Sequence, residues 1–423
     1  LIYIFIIGLL LCSYTWADGS RYASKSLLSE GKWVKIRVDK TGIYKLSYAD
    51  LKNMGFSDPS KVSVHGYGGW PLDEDFSKEY IDDVPSTPVW RGSDYLLFYG
   101  KGPVKWEYDS SSQTFVHTNN PYSLYGYYFV TDATPTNDMT SVAQASGATN
   151  RITTYDDYLV HEQELVSLAK SGRELYGEDF SGATPRTLST FSSIPGITNE
   201  DAKVTMSFVS KVTSGTGVAS LSINQSNVLD VSIRSNREEY VKALEGVSTA
   251  VWKGEKSEKN SVVVSYNSAS HNNVRLNYVR LHFKRTLQPY GAYTFFRSIA
   301  SIGNVSRFVV QGANANTLVF DVTDAQRVRL METELNGSEL TFSIPAGTLR
   351  EFVLVRTDQS FISPEVVGEV ENQNLHALEQ KDMIIIAAKA FQTQAERLAE
   401  EHRATDGLTV EVVDPQSIYN EFS

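Results

Sequence analysis

Apolar and polar positions alternate with a period of two along most of this chain, the signature of strands with one face buried. In Trp33–Val38, Val34, Ile36 and Val38 share one face, while Trp33, Lys35 and Arg37 share the other. Lys40-Thr-Gly42 leads into Ile43-Tyr-Lys-Leu46, which predicts a hairpin. Ser47 with Asp50 three residues on has the form of a capping box for a short helix to Met54, stopped by Gly55. Val62 and Val64, then Tyr95–Tyr99, Val104–Tyr108 and Tyr125–Val130, continue the strand rhythm, so residues 18–131 read as a β-rich N-terminal domain. Residues 132–200 read as a linker rich in Thr, Pro, Asn, Ser and Ala over its first part, with a short helical candidate at His161–Lys170. Alternation resumes from Ala202 in Val204–Val209, Ala219–Ile223, Val228–Ile233, Val262–Tyr266 and Val274–Lys284. Five or more such strands between Gly, Asn and Ser turns predict a β-sandwich of jelly-roll type over 201–290. Strands at Arg307–Val310, Thr317–Val322, Glu339–Ile344 and Glu351–Val355 form a block over 291–360, either a small sandwich or a continuation of the second core. A polar tether follows over 361–380.

The period changes at the end. Asp382–Ala388 is a short continuous apolar run, as expected of a strand buried on both faces of a parallel sheet. Ala395, Leu398, Ala399 and His402 then fall at helical spacing, opposite Glu396, Arg397, Glu400, Glu401 and Arg403. Gly407 suits the residue that closes the helix, Leu408, Val410 and Val412 alternate as a second strand, and Asp414-Pro415 supplies a cap and a first-turn proline for another helix. Residues 381–423 therefore read as the first β-α-β-α of an α/β domain, too short to cover both faces of a parallel sheet. Its two strands should sit poorly covered, with Ile384 and Ile386 partly exposed or packed on the preceding β domain. The expected fold class is mainly β: consecutive β-sandwich or jelly-roll-like domains followed by the incomplete start of an α/β domain.

Residues 1–17 break the pattern with an h-region, Leu1–Cys12, followed by Thr15-Trp16-Ala17, the form of a secretory signal peptide cut before Asp18. The basic n-region and initiating Met are absent, so the sequence reads as beginning inside the leader. Leu11 is too bulky for the position before a lipid-anchored cysteine, and the run is too short for a normal membrane span. The reading is secretion. Cys12 is the one cysteine, so residues 18–423 offer no disulfide, thiolate metal site or cysteine nucleophile. A net charge of −11 argues against nucleic acid or an anionic membrane as the main partner.

The chemistry on offer is sparse. The seven histidines (His65, His117, His161, His271, His282, His376, His402) are scattered singly, without the spacing of a zinc site. His65 before Gly66-Tyr67-Gly68-Gly69 reads as a strand-end turn, and His402 as a packing residue on the last helix. Asp73-Glu-Asp75 and Asp82-Asp83 could gather calcium, but they lack the alternation and glycine of an EF-hand loop and read as exposed acidic turns. Aromatics between Trp90 and Phe129 could stack sugars, although cross-strand packing explains them. Arg173, Glu174 and Glu178 read as an ion-paired structural turn. No nucleophile elbow, phosphate loop or EF-hand is present. We therefore assign no catalytic, cofactor-binding or metal residue within 18–423, and no cofactor.

Three stretches together carry a resemblance. They are Leu28–Leu46 with Ala49–Phe56; Val64-His-Gly-Tyr-Gly-Gly-Trp70 with Asp94–Trp106; and Met383–Ala387 through Gln394–Ala399 to Val410–Val413 and Ile418–Ser423. These resemble the N-terminal part of PorU-type proteins, the gingipain-like cysteine peptidases that act as sortases of the type IX secretion system in Bacteroidetes. The closing stretch, 381–423, is similar to the start of the peptidase domain. The resemblance implies a surface enzyme that removes the C-terminal signal domain of secreted cargo and transfers the cargo to an anionic lipopolysaccharide. Its implied partners are such cargo, secretion-system components and a surface lipopolysaccharide. The chemistry implied is a thiolate activated by histidine, with an acyl-enzyme resolved by water or an amine. No residue up to Ser423 matches the family's catalytic Cys or His motif, so no catalytic position is transferred, and this chain alone is expected to be inactive. The rival reading is a non-enzymatic surface β-sandwich protein that binds glycan or a secretion partner.

Overall fold

The computed structural model describes residues 22–75, 77–78, 82–170, 173–182, 185–268 and 271–422. The expected signal peptide, with Cys12, lies outside them. The described residues divide into two compact units, one drawn from 22–34, 72–85 and 369–422 and one from 35–71 and 86–368.

The larger unit is built of strands. Its first part holds a five-stranded sheet in the order Glu365–Val370, Trp33–Val38, Gly126–Thr131, Ser63–Gly68, Ser86–Thr87, and a three-stranded sheet in the order Gly42–Ser47, Tyr95–Gly100, Val89–Arg91. The hairpin expected from Trp33–Val38 and Ile43–Leu46 does not form. Trp33–Val38 lies inside the five-stranded sheet, and Gly42–Ser47 pairs instead with Tyr95–Gly100, Ile43 opposite Tyr99. Trp33 and Lys35 are buried as well as Val34, Ile36 and Val38, so this strand is covered on both faces and takes partners on both edges. The chain turns a corner at residues 39–41, where the Tyr44 hydroxyl donates to the Lys40 carbonyl at 2.8 Å. Helix α1, Tyr48–Asn53, carries the expected capping box: Ser47 Oγ accepts from the Asp50 N–H, and the Asp50 carboxylate accepts from the Ser47 N–H. Gly55, at φ 93°, stops it.

Three glycines make a close crossing in this part. A Cβ on Gly126 would stand 2.0 Å from the Lys101 carbonyl oxygen and 2.7 Å from the Gly69 nitrogen, both backbone atoms that cannot swing aside. A Cβ on Gly69 would meet Gly102 and Gly126 at 2.8 Å. Gly126→Ala is expected to cost about 2–3 kcal/mol through forced separation of these segments. A urea midpoint unchanged from the parent protein would contradict the crossing.

Next comes a jelly-roll-like sandwich. One sheet orders Thr154–Glu162, His271–Thr286, Ala202–Val212, Leu244–Trp252; the other orders Arg186–Thr187, Val262–Asn267, Thr216–Ile223, Ser226–Arg234. Alternation drives it: Ala219, Leu221 and Ile223 point inward along Thr216–Ile223 and meet Phe208, Val231, Val264 and Leu276 in one apolar core. The helix expected at His161–Lys170 is absent. Thr154–Glu162 pairs residue for residue with His271–Thr286, His161 opposite Val279, and Val166 bridges Tyr176. His161 and Glu162 supply the last two of that strand's nine antiparallel pairs, and the short remainder has too little helical spacing to stand as a helix by itself.

The block at 291–360 is a sandwich with its own core. Tyr293–Phe296, Phe352–Arg356, Thr317–Asp321 and Arg329–Met331 form one sheet, joined at its edge by Ser141–Val142. Asn304–Val310, Glu339–Ala346 and Glu334–Asn336 form the other, joined by Asn150–Ile152. Between them lie Phe296, Phe308, Phe342 and Phe352, with Phe308 and Phe342 stacked at 5.0 Å and Phe342 edge-on to Phe352 at 5.2 Å. Ile43, Leu97 and Tyr99 of the first part pack with Phe320, Val353 and Val355 of this one.

The smaller unit contains the α/β segment. Met383–Ile386 and Val410–Val413 pair in parallel, Met383 opposite Val410. Helix α2, Gln392–Glu401, passes into a π turn, His402–Asp406, and Gly407 closes it at φ 68°. Helix α3 is Pro415–Phe422, with the Asp414 carboxylate accepting from the Gln416 N–H at 3.4 Å. Ala395, Ala399, Val410 and Val413 are buried. The first strand is not buried on both faces: Ile384 and Ile386 are 58% and 62% exposed. The alternation of covered Met383 and Ile385 with open Ile384 and Ile386 is that of a sheet with one covered face.

Candidate functional site

Sequence placed the histidines singly; the fold gives five of them carboxylate partners. His117 Nε2 meets Glu162 at 2.8 Å, His161 Nε2 meets Glu178 at 2.6 Å, His282 Nε2 meets Asp156 at 3.2 Å, and His402 Nδ1 meets Asp406 at 2.7 Å. His376 has two partners, Glu421 at 2.6 Å from Nδ1 and Asp82 at 2.8 Å from Nε2. His65 is no strand-end turn. It sits buried within Ser63–Gly68, its Nε2 2.8 Å from Thr134 Oγ1 and 3.2 Å from Ser63 Oγ.

In the larger unit the densest polar cluster surrounds Arg297, 1% exposed. Its Nε donates to Glu351 at 2.6 Å, one terminal nitrogen donates to the Asp156 carbonyl at 3.1 Å, and its guanidinium lies 4.4 Å from the centre of the Tyr158 ring. Burial alone would lower the Arg297 pKa, but Glu351, Tyr158 and Asp157 together hold it above the ordinary value. Burial pushes the Asp156 carboxyl up; bonds from His282 and the Ile299 N–H outweigh it and leave it below the usual range. The hairpin of Val104–Asp109 and Thr114–Asn119 closes over this cluster, with Trp106 stacked on Tyr158 at 4.0 Å and Phe115 beside it. The aromatics of this region thus pack on one another. Arg297, Glu351, Asp156 and Asp157 are each paired, so the cluster pins elements together.

Nearby, Asn119 Nδ2 bridges Glu162 and Glu164 at 2.7 and 3.1 Å. Burial, then the neighbouring Glu162 and Glu174, raise the Glu164 carboxyl. Glu174 is raised by burial and by Glu245 and Glu162. At the turn of Arg173, Glu174 and Glu178, Glu178 binds His161, and the Arg173 guanidinium lies 5.7 Å from the Tyr122 ring centre. Among the described residues no group of three or more His, Cys, Asp or Glu is arranged to hold a metal ion.

Lys101, 3% exposed, is a further oddity of the larger unit. Its ammonium lies 3.8 Å from the Tyr67 ring centre and 4.8 Å from that of Trp70, and burial lowers its pKa to about 7. A neutral amine is a nucleophile, but this one is enclosed by rings and packs.

In the smaller unit Asp82 and Asp83 are not the exposed acidic turn expected. Asp82 takes the His376 imidazole and the Ala23 N–H, and Asp83 takes Ser26 Oγ and the Leu27 N–H, each at 2.7 Å. Asp73-Glu-Asp75 does form an exposed turn, with Lys78 paired to Asp73. Along α2, Gln392, Thr393, Glu396, Arg397, Glu400 and Val412 line an open groove of solvated side chains. The His376 contacts join residues 45 and 294 positions apart, so no local spacing could have disclosed them.

Comparison with known proteins places this geometry. The signature of peptidase family C25 matches residues 376–423, beginning at His376. The crystal structure of dimeric latent PorU from Porphyromonas gingivalis superposes with a TM-score of 0.89 at 32% identity, covering 95% of this chain. The chain spans 39% of that PorU chain. Two other solved structures, BuGH86 in complex with neoagarooctaose and infectious bursal disease virus Gx strain, are each 10% identical with TM-scores of 0.18. The first covers 60% of this chain and 32% of its own, the second 88% and 90%, and neither bears on the fold. No curated protein matches. On the family signature and the PorU superposition together, the chain is a PorU/gingipain-like protein of peptidase family C25.

Proposed function

We propose that this chain supplies the β-sandwich module and the opening of the peptidase domain of a cell-surface sortase. That enzyme would remove the C-terminal signal domain of secreted cargo and pass the cargo to a surface glycolipid. The observation that supports the reading is the PorU superposition, which runs through the sandwiches into a segment carrying the C25 signature. In this reading a thiolate attacks the scissile carbonyl, the C–N bond breaks, and the departing amine takes a proton from an imidazolium. Water or an acceptor amine then attacks the thioester, returns a proton to the imidazole and releases the thiolate. Residues 18–423 contain no cysteine, so the thiolate belongs to sequence outside them. The leader-like residues 1–17 support export to the surface, where the lipopolysaccharide acceptor and secretion components are the proposed partners.

The test is to express the complete gene product and offer it cargo that carries a C-terminal signal domain. Mass spectrometry should show release of that domain, adducts with added amines, and loss of both after thiol alkylation. Residues 18–423 alone should show no alkylation-sensitive turnover. Cleavage by the complete protein that survives alkylation would overturn the cysteine mechanism. No cleavage, with cargo or glycan retained, would favour a binding protein.

A further inference from the structure

The smaller unit is held by a polar knot that its packing alone does not explain. Glu421, on α3, is fully buried and accepts from the Leu375 N–H at 2.9 Å, the His376 N–H at 3.1 Å, Gln373 Nε2 at 2.8 Å and His376 Nδ1 at 2.6 Å. The His376 ring, its side chain 1% exposed, stacks on Phe422 at 4.4 Å and turns its other nitrogen to Asp82. Asp82 and Asp83 in turn hold the strap at residues 22–30 by the Ala23 and Leu27 N–H groups and by Ser26 Oγ. The Asn374 side chain accepts from the Ser26 N–H at 2.9 Å, and the Leu28 carbonyl accepts from Asn372 Nδ2 and the Gln373 N–H. Four separate stretches of chain meet here, and one imidazole bridges two carboxylates at the centre.

We infer that His376 is a proton-operated clasp, fastening the 82–85 turn and the 22–30 strap to the opening of the peptidase segment. An imidazolium donates from both nitrogens and satisfies both carboxylates; a neutral imidazole keeps one N–H and sets a lone pair against the other carboxylate. Asp82 and Glu421 are the charged groups that face His376 among the described residues. The two carboxylates are held unequally. Glu421 is fixed by two backbone N–H groups and Gln373, whereas Asp82 is 13% exposed and, beside the imidazole, accepts from the Ala23 N–H. Deprotonation therefore releases Asp82 and the Ala23 end of the strap first and leaves α3 seated. Burial works against the charged ring, but the bonds to Asp82 and Glu421 prevail and raise its pKa above the ordinary value. The clasp is closed below the ordinary histidine range and opens as pH rises through the higher folded value.

Hydrogen exchange of the full chain, corrected for intrinsic rates, tests this on the amide of Ala23, which Asp82 holds. Its protection should fall on the order of tenfold between about pH 6 and about pH 9. The amides of Leu375 and His376 should keep theirs. Asp82→Asn leaves the Glu421 anchor intact and should flatten the pH dependence at Ala23. His376→Gln should remove it, and if that variant fails to fold, Asp82→Asn with a ring-proton titration of His376 still decides. Strap protection that is the same at both pH values, or a pH dependence that survives in Asp82→Asn, would overturn the clasp.

Discussion

Replacing Arg297 with Met is expected to destabilise the β module by about 3–5 kcal/mol, a large share of what a module of this kind holds in reserve. The stem volume is nearly kept, so the loss is one of charge. Glu351, whose carboxyl burial already pushes up against the pull of Arg297, would lose its partner at 2.6 Å. The Asp156 carbonyl would lose its donor, and Asp157 a cation 3.7 Å away. Tyr158 would lose the cation over its ring, and the hairpin stacked on that ring through Trp106 should loosen. Urea unfolding followed by tryptophan fluorescence would read both effects. Adding Glu351→Gln should return part of the stability, since an unpaired buried carboxylate is the costlier half of a broken pair. A midpoint shift equivalent to less than about 1 kcal/mol would show that the network is a solvated pair of the ordinary surface kind.

The parts of this fold that sequence disclosed are those decided by near neighbours. Ser47 and Asp50 cap α1 because three residues separate them, Gly407 closes the turn after α2 because it tolerates φ 68°, and Thr216–Ile223 alternates because the pleat has period two. Pairing is another matter. Lys40-Thr-Gly42 looks like a hairpin turn, yet burial of Trp33 and Lys35 beside Val34 and Ile36 draws the two strands into different sheets. No local feature encodes that Tyr95–Gly100 will outcompete Trp33–Val38 for Gly42–Ser47. The ionic clusters are still less legible. His161 finds Glu178 across 17 positions, but His376 finds Asp82 across 294, and a histidine with distant partners looks in sequence like a histidine with none. The acidic pair Asp82-Asp83 looks like an exposed turn for the same reason, since Ala23, Ser26, Leu27 and His376 are all distant in the chain.

Replacing Lys101 is expected to change stability in the direction opposite to replacing Arg297. Both cations are buried against aromatic rings, but Arg297 has carboxylates and Lys101, among the described residues, has none at ion-pair distance. An ammonium on two ring faces recovers only part of its hydration. The unfolded chain holds this proton to about 10.5, while burial, with Lys105 adding to it, lets the folded chain release it near about 7. Between those values the unfolded state binds more protons, so stability rises with pH across the window and is lost as pH falls back toward 7. Across the gap from 10.5 to about 7 the penalty at neutral pH is on the order of 4 kcal/mol. Lys101→Met keeps the stem between Tyr67 and Trp70 and removes the titration, so the variant should be more stable at pH 7 by about 2–3 kcal/mol. It should also lack most of the parent's gain toward pH 10, although Lys35, lowered to about 8 by burial, will keep a smaller slope. Urea midpoints measured across that range for parent and variant give both quantities. A variant less stable than the parent at neutral pH would mean that the ammonium in its ring box is a net stabilising contact, and that the box is built to hold a charge.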